Sequence, residues 1–332
     1  MGRQTLDEPE LIARFFAPLA GPGGLGLRDD AALVAPPPGT ELVVTADALV
    51  AGVHFFAEDP PEKIAAKALA VNLSDLAAKA AAPLGFLLTL ALPPGWTPDW
   101  LEAFAQGLRH PACPLLGGDT VATPGPLTLS ITALGAVPAG RMVRRAGARE
   151  GDRLYVSGTI GDAVLGLALR RAELGLASAP EWAKALAPTQ GAELVGRYLS
   201  PQPRLALKPA LRACASAGMD VSDGLVGDLR ALMRASGTSA RVDLGLAPLS
   251  DAAAAALRAD SGLFEALFSG GDDYEILCAV NPDRAARFET LADAAGVAVT
   301  AIGTVEPAYA GDLFLGRDGV PLAFRRDRFS HF

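Results

Sequence analysis

The sequence predicts an α+β protein of two domains, and three observations carry that expectation. The 332 residues exceed the length at which one hydrophobic core usually keeps growing. Short β-branched and apolar runs are mixed with helical stretches in an α+β pattern, and no repeat of solenoid or propeller period is present. A polar, glycine-containing segment poor in apolar anchors, RRAGAREGD from Arg144 to Asp152, interrupts the chain near its middle. The expected domains are therefore 1–150 and 151–332, both α/β in content.

In chain order, Leu11 to Leu19 predicts a short amphipathic helix, and GPGGLGLRDD from Gly21 to Asp30 a glycine-rich turn. Leu42 to Thr45 is an expected strand ending in a polar cluster at Thr45 and Asp47. Pro60-Pro61 opens a long helix to about Ala82, since proline is tolerated in a first turn. Phe86 to Leu92 is a strand closed by PPGW, Trp100 to Leu108 a helix, GGDT from Gly117 to Thr120 a turn, and Leu127 to Val137 a strand. In the second half, Leu154 to Val156 is a strand running through SGTIGD into a helix from Ala163. Helices follow at Arg204 to Ala217 and Asp223 to Ser236, then strands near Arg241 to Leu246, Tyr274 to Val280, Val297 to Ile302 and Leu313 to Leu315.

Composition narrows the function. Half of the residues are apolar and 20% charged, which suits a packed globular chain. The net charge of −8, with a sequence pI near 5.0, argues against a broad nucleic-acid surface. An acidic protein that handles phosphates needs metal ions to offset the repulsion. Three widely spaced cysteines, Cys113, Cys214 and Cys278, fit neither a disulfide framework nor a zinc ribbon and are expected as buried free thiols. The opening MGRQTLDEPELI lacks the form of a secretory signal, and no apolar run reaches the roughly 18 residues of a membrane span. The cytoplasm is the expected compartment, with no membrane partner.

Five short segments place aspartates beside Gly, Ser or Thr: Asp29-Asp30, Thr45-Ala46-Asp47, Gly117-Gly118-Asp119-Thr120, Asp220-Val221-Ser222-Asp223-Gly224 and Gly270-Gly271-Asp272-Asp273-Tyr274. Any one is ordinary turn chemistry. Together they could direct carboxylates into one cleft, as Mg²⁺ takes a few carboxylates along with phosphate oxygens and water. Asp75 sits mid-helix among apolar neighbours, where a short acid has poor propensity, and either a metal or a surface pair with Lys79 accounts for it. His54, beside aromatics, reads first as a structural histidine. Arg145 carries a fork suited to phosphate. GxxxxGK[ST], the protein-kinase signatures and the dinucleotide fingerprint are all missing, so any nucleotide site is of another kind.

With these motifs assembled, the chain resembles the thiamine-monophosphate kinase family, of the aminoimidazole ribonucleotide synthetase-like superfamily, across nearly its whole length. The matching stretches are LRDDAAL, VTADALVAGVHFF, KALAVNLSDLAA, LLGGDT, RRAGAREGD, VSGTIGDAVLGL, YLSPQPR, MDVSDGL, SGGDDYEIL and FSHF. The resemblance implies a two-domain fold with a dimerising N-terminal domain, and ATP-dependent phosphorylation of thiamine monophosphate, the last step of thiamine diphosphate biosynthesis. It implies a cluster of several Mg²⁺ ions held by Asp30, Thr45, Ala46, Asp47, Asp75, Asp119, Asp220 and Asp223, with ATP on Gly118, Asp119, Arg145 and Ser222. Thiamine monophosphate would meet His54, Asp272 and Phe329. Asp47, Asp119 and Arg145 are the expected catalytic set, and direct in-line transfer the expected mechanism.

The chain departs from the family pattern at Arg28, where glycine is usual, at Ala46, where a hydroxyl is usual, at Lys79-Ala80 in place of Met-Gly, and at Asp272 in place of glutamate. Ala46 still offers a backbone carbonyl. Asp272 keeps the charge and loses one methylene of reach. Two rival readings are another enzyme of the superfamily, which would carry a reactive cysteine near one terminus, and a nucleotide-sensing or scaffold homologue without turnover. No cysteine precedes Cys113, and the chain ends in Phe332.

Overall fold

The computed structural model describes residues 7–324, and the chain divides into two compact units. The first comprises Met1–Leu76 with Ala81–Gly140, the second Ala77–Ala80 with Arg141–Phe332. The segment Arg144 to Asp152 thus falls within the second unit.

The first unit opens with α1 (Glu8–Leu11), capped by Asp7 and Glu10, which each accept the other's backbone N–H. It runs on into a wide turn at Ile12–Phe16 and a tight one at Ala17–Leu19, so the expected helix exists as three short helical pieces that bury Leu11, Phe15, Phe16 and Leu19. Then come β1 (Thr40–Val50), α2 (Pro61–Ala78), β2 (Ala82–Leu92), α3 (Pro98–Gly107), β3 (Leu115–Ala122) and β4 (Thr128–Pro138). The strands form one sheet in the order β1-β4-β2-β3, parallel only between β2 and β3. One face buries Val43, Leu49, Leu88, Leu90, Leu129 and Ile131, while the other leaves Leu42, Val44 and Leu87 partly in solvent. This alternation is what period-two side-chain placement gives. α2 is different, because Ala68 to Ser74 are buried on every side, and its many alanines are what let neighbours approach all round it.

Two segments expected as turns lie inside strands. Thr45 to Asp47 are in mid-β1, and Gly117 to Thr120 are in β3. The glycines misled the prediction: they mark a close approach of backbones, since a Cβ on Gly118 would lie 1.9 Å from the Leu88 carbonyl oxygen. The helix from Pro61 also stops earlier than expected, at Ala78. Ala80 takes a left-handed φ of 57° there, and the Ala81 N–H closes the end on the Leu76 carbonyl at 2.8 Å. Glycine would fit that φ without the steric cost of about 1–2 kcal/mol.

The second unit holds β5 (Arg153–Ser157), α4 (Asp162–Glu173), α5 (Pro188–Leu199), α6 (Lys208–Cys214), β6 (Ala215–Val221), α7 (Leu225–Ser236) and β7 (Ser239–Asp243). It continues with α8 (Asp251–Ala259), α9 (Leu263–Ser269), β8 (Glu275–Val280), α10 (Pro282–Ala294), β9 (Val299–Glu306), β10 (Leu313–Leu315) and β11 (Pro321–Leu322). Its seven-stranded sheet has the order β11-β10-β7-β9-β5-β8-β6. The expected helix from Arg204 to Ala217 ends at Cys214, and the next seven residues form β6, which carries Asp220 near its end. The sequence reading did not assign α5, α8, α9 or α10. Cys113, Cys214 and Cys278 are free and buried, as expected.

A buried ionic knot ties this unit together. Glu275, fully inaccessible at the start of β8, accepts from Arg197 at 2.7 Å, from Arg204 Nε at 2.6 Å and from Ser157 Oγ at 2.6 Å. Gly158 is glycine because a Cβ there would stand 2.2 Å from Glu275 Oε1, at a φ of 56°. Removing one partner of such a buried ion leaves an uncompensated charge. Arg204→Ala is therefore expected to lower the unfolding free energy by about 3–5 kcal/mol, read from urea denaturation. Lys184→Ala, in the exposed pair with Glu181, should change it by less than about 1 kcal/mol. Equal effects would contradict the assignment.

Candidate active site

β1 and α2 bring together one group of predicted residues. Thr45 Oγ1 donates to the Asp75 carboxylate, and the Asp47 N–H donates to Asn72 Oδ1 at 3.2 Å, one turn earlier on α2. Thr45 and Asp47 point to the helix side of the strand, two residues apart; Ala46 points to the other side and is exposed. The hydroxyl missing at position 46 would thus have faced away from this group. Burial, and then the nearby Asp75 carboxylate, push the Asp47 carboxyl up from 3.8 to about 6. Two carboxylates share a partly dry site without a cation among the side chains named.

Asp119 lies elsewhere. Asp47 stands across from Ile131, which is across from Leu88, which is across from Gly118, so Asp119 is in the next cross-strand row, with Thr89 and Ser130, on the opposite face. There it lines a cavity of about 580 Å³ together with Asp29, Asp30 and Gly118, over apolar walls that include Phe16 and Leu134. Arg28 precedes this double aspartate at a φ of −113°, a conformation that needs no glycine. His54 is in a turn after β1, and its Nδ1 accepts the Val50 N–H at 3.0 Å. That bond orients the ring and holds Nδ1 as the unprotonated nitrogen.

In the second unit, β6 ends at Val221 and the chain turns through Ser222, Asp223 and Gly224 into α7. Asp228, on the first turn and a quarter of α7, reaches back so that its Oδ2 accepts the N–H groups of Ser222 at 2.9 Å and Asp223 at 3.0 Å. Burial pushes its carboxyl up to about 7; those two N–H bonds and the Arg145 charge pull the other way, while the Asp223 carboxylate adds to the rise. Arg145 is exposed and belongs electrostatically to the same group, its carbonyl accepting from Ser236 Oγ. The loop at Gly270 to Tyr274 lies against this turn: the Asp272 N–H donates to the Ser222 carbonyl and the Tyr274 N–H to the Val221 carbonyl, both at 2.8 Å. Asp220 is buried. Phe329 lies outside the described residues.

Among the described residues no three His, Cys, Asp or Glu side chains lie close enough to hold a metal by themselves. Within each unit the carboxylates come instead as small groups: Asp47 with Asp75, Asp29 and Asp30 with Asp119, Asp223 with Asp228. Such groups suit an ion that draws its remaining ligands from phosphate and water. Asp228 escaped the sequence reading, although an acid four residues into a helix after an Ser-Asp-Gly turn is a signal for a side chain that caps the turn.

Residues 28–137 match the family model for the N-terminal domain of AIR synthase related proteins, and residues 149–315 the model for its C-terminal domain. The thiamine-monophosphate kinase of Caulobacter vibrioides is 46% identical over 320 residues, which cover 93% of this chain and 87% of the relative. The chain belongs to the thiamine-monophosphate kinase family. A crystal structure of the family from Stenotrophomonas maltophilia aligns with a TM-score of 0.76 at 39% identity, covering 89% of this chain and 91% of that one. A ThiL structure complexed with AMPPCP and TMP aligns with a TM-score of 0.74 at 29% identity, over 92% and 91% of the two chains. The α+β, two-domain fold expected of the family is the one found. Among the described residues no helix is long and apolar enough to cross a membrane.

The raised Asp47 carboxyl has a consequence for stability in the metal-free protein. A folded value near 6 against 3.8 in the unfolded chain means the native state holds the proton more tightly, so stability is fully present below about 3.8 and is lost as pH rises through 6. In chelator, Asp47→Asn is expected to melt at a higher temperature than the parent at pH 7.5, the gap closing between pH 6 and 4. Thermal melts across that range check it; a constant gap, or none, would show that Asp47 is not crowded.

Proposed function

We propose that the protein transfers the γ-phosphoryl group of ATP to thiamine monophosphate, giving thiamine diphosphate and ADP, as the last step of thiamine diphosphate biosynthesis. The observation that carries this reading is the cavity that Asp29, Asp30, Gly118 and Asp119 line, in a chain whose family includes a structure complexed with AMPPCP and TMP. The crowding of Asp47 against Asp75 supports a divalent cation there. Asp30, Thr45, the Ala46 carbonyl, Asp47, Asp75, Asp119, Asp220 and Asp223 would hold several Mg²⁺ ions. Bound Mg²⁺ supplies neutralising charge for phosphates that the acidic chain would otherwise repel.

Gly118 and Ser222 offer backbone and hydroxyl contacts to ATP, and the Arg145 guanidinium spreads the charge that develops on the transferred group. His54, Asp272 and Phe329 hold thiamine monophosphate. The acceptor is an anionic phosphate oxygen that needs orientation more than deprotonation, so it attacks directly and no phosphoenzyme forms. Asp47, Asp119 and Arg145 are the catalytic set. The protein works in the cytoplasm, where its three buried free thiols stay reduced.

The second half of this reading is a homodimer through the first unit's sheet. Its open face leaves Leu42 45%, Val44 59%, Leu87 37% and Val121 46% exposed, on β1 and, beyond β4, on β2 and β3. A second copy of the same face would bury them. Sedimentation should give a dimer for the parent protein and a shift towards monomer for Val44→Lys; a monomeric parent would remove the dimer.

Activity is tested by thiamine diphosphate formation from ATP and thiamine monophosphate. Asp119→Asn should lower turnover by at least about 100-fold while the circular dichroism melt stays unchanged, and excess chelator should stop the parent enzyme. With γ-labelled ATP and no acceptor, no label should stay on the protein. Label that remains and chases into product would replace direct transfer with a covalent intermediate, and a folded parent without turnover would make the chain a binding homologue.

A further inference from the structure

The Gly270–Tyr274 loop is held in a conformation its own residues resist. Asp272 has a φ of 72° and Tyr274 a φ of 50°, two left-handed positions within three residues. Neither is glycine, and a residue with a Cβ adopts the left-handed region infrequently, aspartate more readily than tyrosine. The surroundings must therefore impose the shape. On one side the constraint is backbone against backbone: a Cβ on Gly271 would lie 2.3 Å from the Ser222 carbonyl oxygen, and one on Gly224 2.7 Å from the Gly270 carbonyl oxygen. On the other side a buried side chain contributes. Asp273 Oδ1 accepts the Gly161 N–H at 2.9 Å, at the residue that caps the start of α4.

Asp273 is 3% exposed, and its Oδ2 has no hydrogen-bond partner. An ionised carboxylate would not tolerate that orphan oxygen. The charges around it leave no room for another anion: Arg197 is paired with Glu275 at 2.7 Å and approaches Asp162 at 3.8 Å, and Arg204 is also committed to Glu275. Two cations already face two anions. Burial first, with Asp162 and Glu275 adding to it, pushes the Asp273 carboxyl well above the usual range, against the Gly161 N–H and Arg197.

We propose that Asp273 is a positioning residue of the phosphoryl-transfer site, whose one bonded oxygen pins the Gly270–Tyr274 loop to α4 and so sets where Asp272 reaches the substrate. It touches no substrate itself. The inference rests on the reading of Asp272 as a contact for thiamine monophosphate. Its chemistry is that of a neutral acceptor, so an amide in the same place retains the function, while a methyl group does not.

Steady-state kinetics on Asp272→Ala, Asp273→Ala, Asp273→Asn and the Asp272→Ala/Asp273→Ala double variant separate the two claims. Asp273→Ala should raise KM for thiamine monophosphate about tenfold, with KM for ATP and kcat within about threefold, and Asp273→Asn should stay within about threefold of the parent throughout. The double variant should be no worse in KM than Asp272→Ala alone, since the anchor acts through that residue. Should Asp273→Ala not fold, Asp273→Ser, too short to reach Gly161, takes its place with the same expected KM. Asp273→Asn as damaging as Asp273→Ala would overturn the neutral anchor, and additive effects in the double variant would overturn action through Asp272. An unchanged KM in Asp273→Ala, beside a raised one in Asp272→Ala, would refute positioning while leaving the contact in place. An unchanged KM in Asp272→Ala would instead remove the contact, and the proposal with it.

Discussion

Glu275 is the constraint around which the second unit is organised. A carboxylate with no access to water must be answered by charge and hydrogen bonds from several elements at once, and here the answers come from α5 through Arg197, from the segment before α6 through Arg204, and from the end of β5 through Ser157. The same demand explains sequence features that otherwise look like loop chemistry. Gly158 leaves space for the carboxylate, and Ser157 both donates to Glu275 and accepts the Ile276 N–H at 2.8 Å, registering β5 against β8. The matches at VSGTIGD, YLSPQPR and GGDDYEIL, spread over more than a hundred residues, thus converge on one cluster.

That cluster sits behind the loops proposed to carry the chemistry. Asp162 at the start of α4 accepts from Thr159 and from Ser250, each at 2.5 Å, which fixes the helix start whose Gly161 N–H meets Asp273. Asp228 does the corresponding work for the Ser222–Asp223 turn from the other side. These loops are short, and their backbone donors are directed partly by buried acids and partly by the Val221 and Ser222 carbonyls at and just after the end of β6. This is how a loop can be both irregular and precise.

Much of the fold was legible in the sequence because its strands are rich in valine, isoleucine and leucine and a proline pair marks the start of α2. The two turn misreadings in the first sheet share one cause, a partner distant in sequence. Glycine beside aspartate signals a turn locally, but in β3 the glycine answers to Leu88 on a strand distant in sequence, and in β1 the polar Thr45 and Asp47 are kept in the strand by partners on α2. The candidate residues were legible as a set through family resemblance, while their division between the two faces of the first sheet was not, because strand register is a tertiary property. Asp228 was overlooked, and Asp273 was named in its motif without a role of its own, for the opposite reason: each acts out of sight, through a backbone N–H.

The encirclement of α2 has a further consequence. Ala65, Ala68, Leu73, Leu76 and Ala77 are all at most 1% exposed, and after the exposed first turn at Glu62 and Lys63 only Ala66 and Asp75 are even half-buried. A helix gripped on all sides cannot roll or slide without breaking close packing at many points together. Asp75 is accordingly a fixed post. The same grip leaves the alanines almost no freedom to drift to larger residues, so this helix should be among the slowest-changing parts of the chain as the surface around it diverges.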